Sequence, residues 1–207
     1  MDFDLITTAV KKAFDTYVEN IVAYIIGALI AVFGSLLIIT SAPLFYGLYS
    51  MILKGTRGEK VEIKDVLYGF SSLNIFIRAW IGVLAIAAIP LCIAIAFSVL
   101  STVLVMISSS LGILVALLSL CMIIVMFVLV IFLYYSEFIY VMTPSENIIY
   151  AIKESIAIAK ENLIMVILTV IIAGILGMFT ITIPLGWTFA AYMLKELKPD
   201  IKDNSGM

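Results

Sequence analysis

Polar and apolar positions along this chain are sorted into blocks. Three stretches carry no acidic or basic side chain: Asn20 to Leu53, Ala79 to Ser136 and Asn162 to Leu194. About 20 apolar residues of helix cross a bilayer core about 30 Å thick. One straight helix through the first stretch would be about 50 Å long, which overshoots that core. A hairpin of two short helices fits the first and last stretches better, and the middle one, much the longest, suits two long helices. The pattern predicts an all-α polytopic membrane helical bundle of about six transmembrane helices in three hairpins. They fall roughly over 20–34 and 36–54, 76–106 and 110–137, and 162–176 and 179–195.

Charge gives this threading a side. All 12 lysines and arginines then share one face, and the other face receives only turns around Gly34-Ser35, Ser108-Ser109-Ser110 and Gly177. A rival threading, with one crossing for each outer stretch, divides the same cations five against seven. The positive-inside rule favours the hairpins, in the cytoplasmic membrane with both termini cytoplasmic. Pro43, Pro90 and Pro184 fall inside crossings and predict kinks, with Thr40 or Ser41, and Thr180 or Thr182, as partners for freed carbonyls.

An amphipathic segment precedes each outer stretch. Phe3, Ile6, Val10, Phe14 and Tyr17 share one helical face, as do Ile149, Ile152, Ile156, Ala159 and Leu163. Both are expected to lie in the cytoplasmic interface, apolar face down. Thr143-Pro144-Ser145-Glu146 predicts the start of the second, with Thr143 as cap and Pro144 at the first helical position. The two ends also resemble each other. Ile6, Ala9, Lys11, Glu19 and Asn20 match Ile148, Ala151, Lys153, Glu161 and Asn162 at a constant offset of 142. After one deleted residue, Pro43, Leu44, Leu53 and Lys54 match Pro184, Leu185, Leu194 and Lys195. The chain thus reads as one membrane domain, 1–207, with a weak parallel repeat over 6–54 and 148–195.

Composition agrees with lipid as the solvent: 64% of residues are hydrophobic and 13% charged. A net charge of −2 points to no nucleic-acid partner. The chain has no histidine, which removes the commonest general base and metal ligand. Cys92 and Cys121 sit in apolar runs and read as small packing residues. The segment up to Glu19 carries acids where a cleavable signal has a basic start, so the N-terminus is expected to remain. No Asp, Glu, Lys or Arg lies at mid-depth in any predicted crossing. The sequence offers no catalytic, cofactor-binding or metal site.

The remaining chemistry lies in the loop Lys54 to Lys64, KGTRGEKVEIK. Its glycines lack the spacing of a P-loop and the Lys-Ser/Thr pair after the second glycine. Lys54, Arg57, Lys60, Lys64, Arg78 and Trp80 are the candidate lipid-headgroup contacts. Ordinary positive-inside anchoring accounts for the same cations. Arg78 and Glu137 are expected at similar depth, where they could pair.

Tyr46-Gly47-Leu48-Tyr49, the Lys54-Gly55-Thr56-Arg57-Gly58-Glu59-Lys60 loop and Asp65-Val66-Leu67-Tyr68-Gly69-Phe70 together resemble a pattern in poorly characterised prokaryotic membrane families. Those families are loosely similar to the membrane domain of glycerophosphodiester phosphodiesterases. The resemblance covers the segment from Tyr46 to Phe70 in motif and most of the chain in layout. It implies a six-helix membrane domain and carries over no activity, since the catalytic barrel of those enzymes has no counterpart here. The expected function is therefore non-enzymatic: binding of membrane lipids, of a membrane protein or of a second copy of the chain. A small transporter or pore for a neutral or lipid-like solute is the alternative.

Overall fold

The apolar blocks form helices where their lengths place them. The computed structural model describes residues 3–107 and 112–201. Within them lie α1 (Phe3–Glu19), α2 (Ile21–Gly34), α3 (Ile38–Thr56), α4 (Leu73–Ile107), α5 (Gly112–Leu133), α6 (Ser136–Met142), α7 (Ile148–Glu161), α8 (Leu163–Leu176) and α9 (Ile183–Leu197). Short 3-10 helices cover Ile63–Phe70 and Thr180–Thr182, and the described residues contain no strand. The expected turn at Ser108-Ser109-Ser110 lies outside the described residues, as does Lys202.

Two helical stretches, Leu73–Ile107 and Gly112–Met142, are long and apolar enough to cross a membrane. Two bent pairs raise the number to four if each pair is one span: α1 with α2, bent by 88°, and α7 with α8, bent by 108°. Within α4 and α5 only Ala79, Gly82 and Ile131 are buried. Both helices therefore present apolar side chains to the outside along most of their length, Cys92 and Cys121 included. The cysteines expected as packing residues are outward-facing instead.

The core gathers around α3 and α9. Tyr49 stacks on Trp187 with centroids 4.3 Å apart, so Trp187 is a packing residue between these helices. The amphipathic helices pack differently from expectation. In α1 the buried positions are Ala9, Ala13, Thr16 and Tyr17, whereas Phe3 and Phe14 are exposed. In α7 they are Ile148, Ala151, Ser155, Ile158 and Ala159, whereas Ile149 and Leu163 are exposed. Small side chains let these helices approach their neighbours closely, while of the expected stripes Tyr17 and Ala159 are buried and Ile6, Val10, Ile152 and Ile156 half-buried. α1 packs along α9, where Lys12 meets Glu196 and the Thr16 and Tyr192 hydroxyls bond at 2.8 Å. The Tyr17 hydroxyl reaches the Ile181 carbonyl at the α8–α9 turn, also at 2.8 Å. α1 is thus a packed member of the bundle.

Local polar chemistry sets where helices start and break. Asn147, not Thr143, caps α7: its side-chain oxygen accepts from the Tyr150 amide at 2.9 Å. Thr143 instead donates back to the Ile139 carbonyl, and Pro144 and Ser145 form a turn. Pro184 sits in the first turn of α9, where its missing N–H costs nothing, so it terminates no ladder. Pro43 lies inside α3 and removes the donor for the Ile39 carbonyl. The replacement donor is the Trp80 indole at 3.3 Å, not Thr40 or Ser41. Those hydroxyls bond the α2–α3 turn instead, Thr40 to the Gly34 and Leu37 carbonyls and Ser41 to Ile38. Between α5 and α6 the broken ladder is bridged by buried Ser155 of α7. Its hydroxyl donates to the Phe132 carbonyl at 2.8 Å and accepts from the Tyr135 amide at 3.2 Å.

Candidate lipid-headgroup site

The 3-10 helix Ile63–Phe70 is held against α3 by two close backbone approaches. A Cβ on Gly47 would run into the Val66 carbonyl, and one on Gly69 into the Pro43 carbonyl. Tyr46 and Tyr68 stack alongside, with centroids 6.4 Å apart. Asp65, 5% exposed, accepts from the Lys54 ammonium at 2.8 Å and from the Glu62 amide at 2.8 Å. These contacts fold the loop after α3 back over its own helix. Gly58, at a φ of 75°, makes the reversal in the left-handed region that glycine favours.

The loop's far end meets the α1–α2 bend. The Asn20 side chain donates to the Thr16 carbonyl at 3.0 Å and accepts from the Val61 amide at 3.3 Å. Beside it opens a groove of about 440 Å³, walled by Val22, Ala23, Val61 and Ile63 and edged by Lys60, Glu62 and Lys64. A smaller hollow of about 210 Å³ adjoins it, next to Glu19 and Asn20. The arrangement is amphipathic: an apolar floor with ammonium groups at the lip.

The six candidate residues separate by partner. Lys54 is committed to Asp65, and Arg57 to Glu59. Lys64 pairs with Glu62 at 2.7 Å. That hydrogen bond and the adjacent ammonium charge hold the Glu62 carboxyl below its ordinary range, and the reciprocal contact raises Lys64. Arg78 donates to the carbonyls of Tyr140, Thr143 and Glu146, and its guanidinium lies 3.8 Å from the Tyr140 ring centroid. Trp80 serves the Ile39 carbonyl. Among the described residues, exposed Lys60 makes no ion pair or hydrogen bond, which leaves its ammonium available to a ligand. The sequence placed Arg78 near Glu137. The structure gives Arg78 to backbone carbonyls instead. The contributions of Asn20 and Val22 come from a segment far away in the chain, and no spacing rule pointed to them.

Compared with known proteins, this chain matches no family model, no curated protein and no solved structure.

Proposed function

We propose that this protein is a non-enzymatic integral protein of the cytoplasmic membrane that holds a phospholipid at the Lys60 groove. The carrying observation is the juxtaposition of the Lys60 ammonium, which makes no ion pair or hydrogen bond among the described residues, with an apolar floor of Val22, Ala23 and Ile63. A phosphodiester takes the ammonium, and the first carbons of the acyl chains take the floor. Lys64 adds a second positive edge, tempered by Glu62.

The same reading gives the chain a threading. Three helix pairs, α2/α3, α4/α5 and α8/α9, enter lipid from one face, the cytoplasmic face that carries the basic loops and both termini. α4, with 35 residues, is about 52 Å long and long enough to traverse the bilayer with tilt. α2 and α8, with 14 residues each, are about 21 Å long. The two short hairpins therefore end inside the hydrocarbon or thin it locally. Their turns suit that position. Phe33, Leu36, Leu37, Ile38 and Ile39 are exposed at the first turn, and Met178 and Phe179 at the second. Turn hydroxyls from Ser35, Thr40, Ser41 and Thr182 all bond nearby carbonyls of their own turns, as lipid requires of buried polar groups. The parallel repeat gains support too. Buried Ala9, Ala13, Thr16 and Tyr17 stand 142 positions before buried Ala151, Ser155, Ile158 and Ala159.

Native mass spectrometry of the full chain released from its own membrane tests the lipid assignment. Retained phospholipid that drops in Lys60→Gln supports it. Equal retention in Lys60→Gln, or no retained lipid in the wild type, overturns it.

A further inference from the structure

We propose that the cavity between α3, α4 and α5 binds a lipophilic monocation through the Glu137 carboxylate. The space measures about 370 Å³ and lies at the α5–α6 break that Ser155 braces. Its walls are aliphatic, from Val83 and Ile86 on α4 to Leu129 and Leu133 on α5. Two phenol rings, Tyr49 and Tyr134, line it, and the carboxyl group of Glu137 completes it.

Three features point to a cation as the occupant. First, Glu137 makes no ion pair or hydrogen bond among the described residues. The neighbouring cation on α4, Arg78, is held by three carbonyls and the Tyr140 ring. A carboxylate in apolar surroundings needs a compensating positive charge or a proton. Second, Pro90 lines the cavity beside Ile86, whose carbonyl it deprives of its helical amide donor. Third, aromatic rings beside a carboxylate are a favourable setting for a diffuse cation. A hard, hydrated metal ion fits poorly, because the walls supply few oxygen ligands. A lipophilic ammonium or phosphonium matches an apolar cavity with one counter-charge. Val130, 51% exposed, and exposed Ala87 stand at the rim, so a ligand dissolved in lipid reaches the cavity from the side.

The test is equilibrium binding of radiolabelled tetraphenylphosphonium to the full chain in lipid nanodiscs. The wild type is expected to bind saturably at one site. Glu137→Gln is expected to weaken binding about tenfold or more, because it removes the carboxylate that lines the cavity. Ala87→Trp, which fills the rim and keeps the carboxylate, is expected to block binding as well. Folding of both variants is checked by their retention of helical circular dichroism and monodisperse elution. Undiminished binding in folded Glu137→Gln, or only non-saturable partitioning in the wild type, overturns the proposal. Lys60→Gln leaves this binding intact, which separates the cavity from the lipid groove.

Discussion

The Arg78 guanidinium lies 3.8 Å from the centre of the Tyr140 ring and donates to the Tyr140 carbonyl at 2.7 Å. The same side chain takes the Thr143 and Glu146 carbonyls, and so ties α4 to the end of α6 and the turn that follows. The last carbonyls of a helix have no intrahelical donor, and a guanidinium fork suits them. Arg78→Ala should lower stability in detergent by roughly 2–3 kcal/mol, the scale of charged hydrogen bonds. Arg78→Lys should recover only part, because a single ammonium cannot span the three acceptors. Thermal or denaturant unfolding followed by circular dichroism checks both.

Trp80 and Pro43 form a second coupled pair. The proline removes a donor from Ile39, and the indole replaces it. Trp80→Phe should cost about 1–3 kcal/mol, since it strands a carbonyl that the proposed threading places in lipid. In a Pro43→Ala background the helix regains its own amide donor, and the same Trp80→Phe change should cost clearly less. A double-mutant cycle measures the difference. Equal costs in the two backgrounds would show that the indole is there for packing alone.

Gly47 and Gly69 admit no side chain against the backbone carbonyls of Val66 and Pro43. Backbone cannot swing aside as a flexible side chain does. Gly47→Ala and Gly69→Ala should each destabilise by about 1–3 kcal/mol through overpacking. They should also loosen the loop pinned by Lys54 and Asp65. Limited trypsin digestion reads this directly, as faster cleavage after Arg57, Lys60 and Lys64.

The groove should keep its charge into mildly acidic solution. Glu62 has its carboxyl pKa lowered by Lys64. A lowered folded-state value means the Glu62–Lys64 contact is intact above the unfolded value and is lost only as pH falls through the lowered one. Phospholipid retention should therefore be unchanged between about pH 7 and pH 5, because Glu62, lowered from a glutamate's ordinary value of about 4.3, stays ionised across that range. Native mass spectra across that range check this.

Much of the helix layout was legible because charge-free blocks set element lengths almost alone. The Gly47, Lys54, Asp65 and Gly69 motif was also visible, and the structure explains those residue types as close approaches and an ion pair. What stayed hidden depends on contacts between distant segments. The inward faces of α1 and α7 are centred on small residues, Ala9 and Ala13 or Ala151 and Ser155, beside Tyr17 and Ile158, where hydrophobic periodicity pointed to a face that includes the exposed Phe3, Phe14 and Ile149. In lipid, bulky side chains can face outward without penalty, so periodicity loses its usual meaning. The start of α7 shifted to Asn147 because Arg78 holds the carbonyls of Thr143 and Glu146 in a turn. The groove needed Val22 and Lys60 brought together, and the cavity needed Tyr49 and Glu137. Neither pairing leaves a mark in local spacing.

The proposed threading puts all basic loops and the C-terminal end on one side of the membrane. Single cysteines at Thr56, Asp200 and Gly112, placed in a chain with Cys92 and Cys121 replaced by alanine, are labelled in sealed vesicles of known orientation with a membrane-impermeant maleimide. The positions at Thr56 and Asp200 should react from the cytoplasmic side alone, and the one at Gly112 from the opposite side alone. Labelling of Thr56→Cys and Asp200→Cys from opposite sides would contradict the hairpin threading.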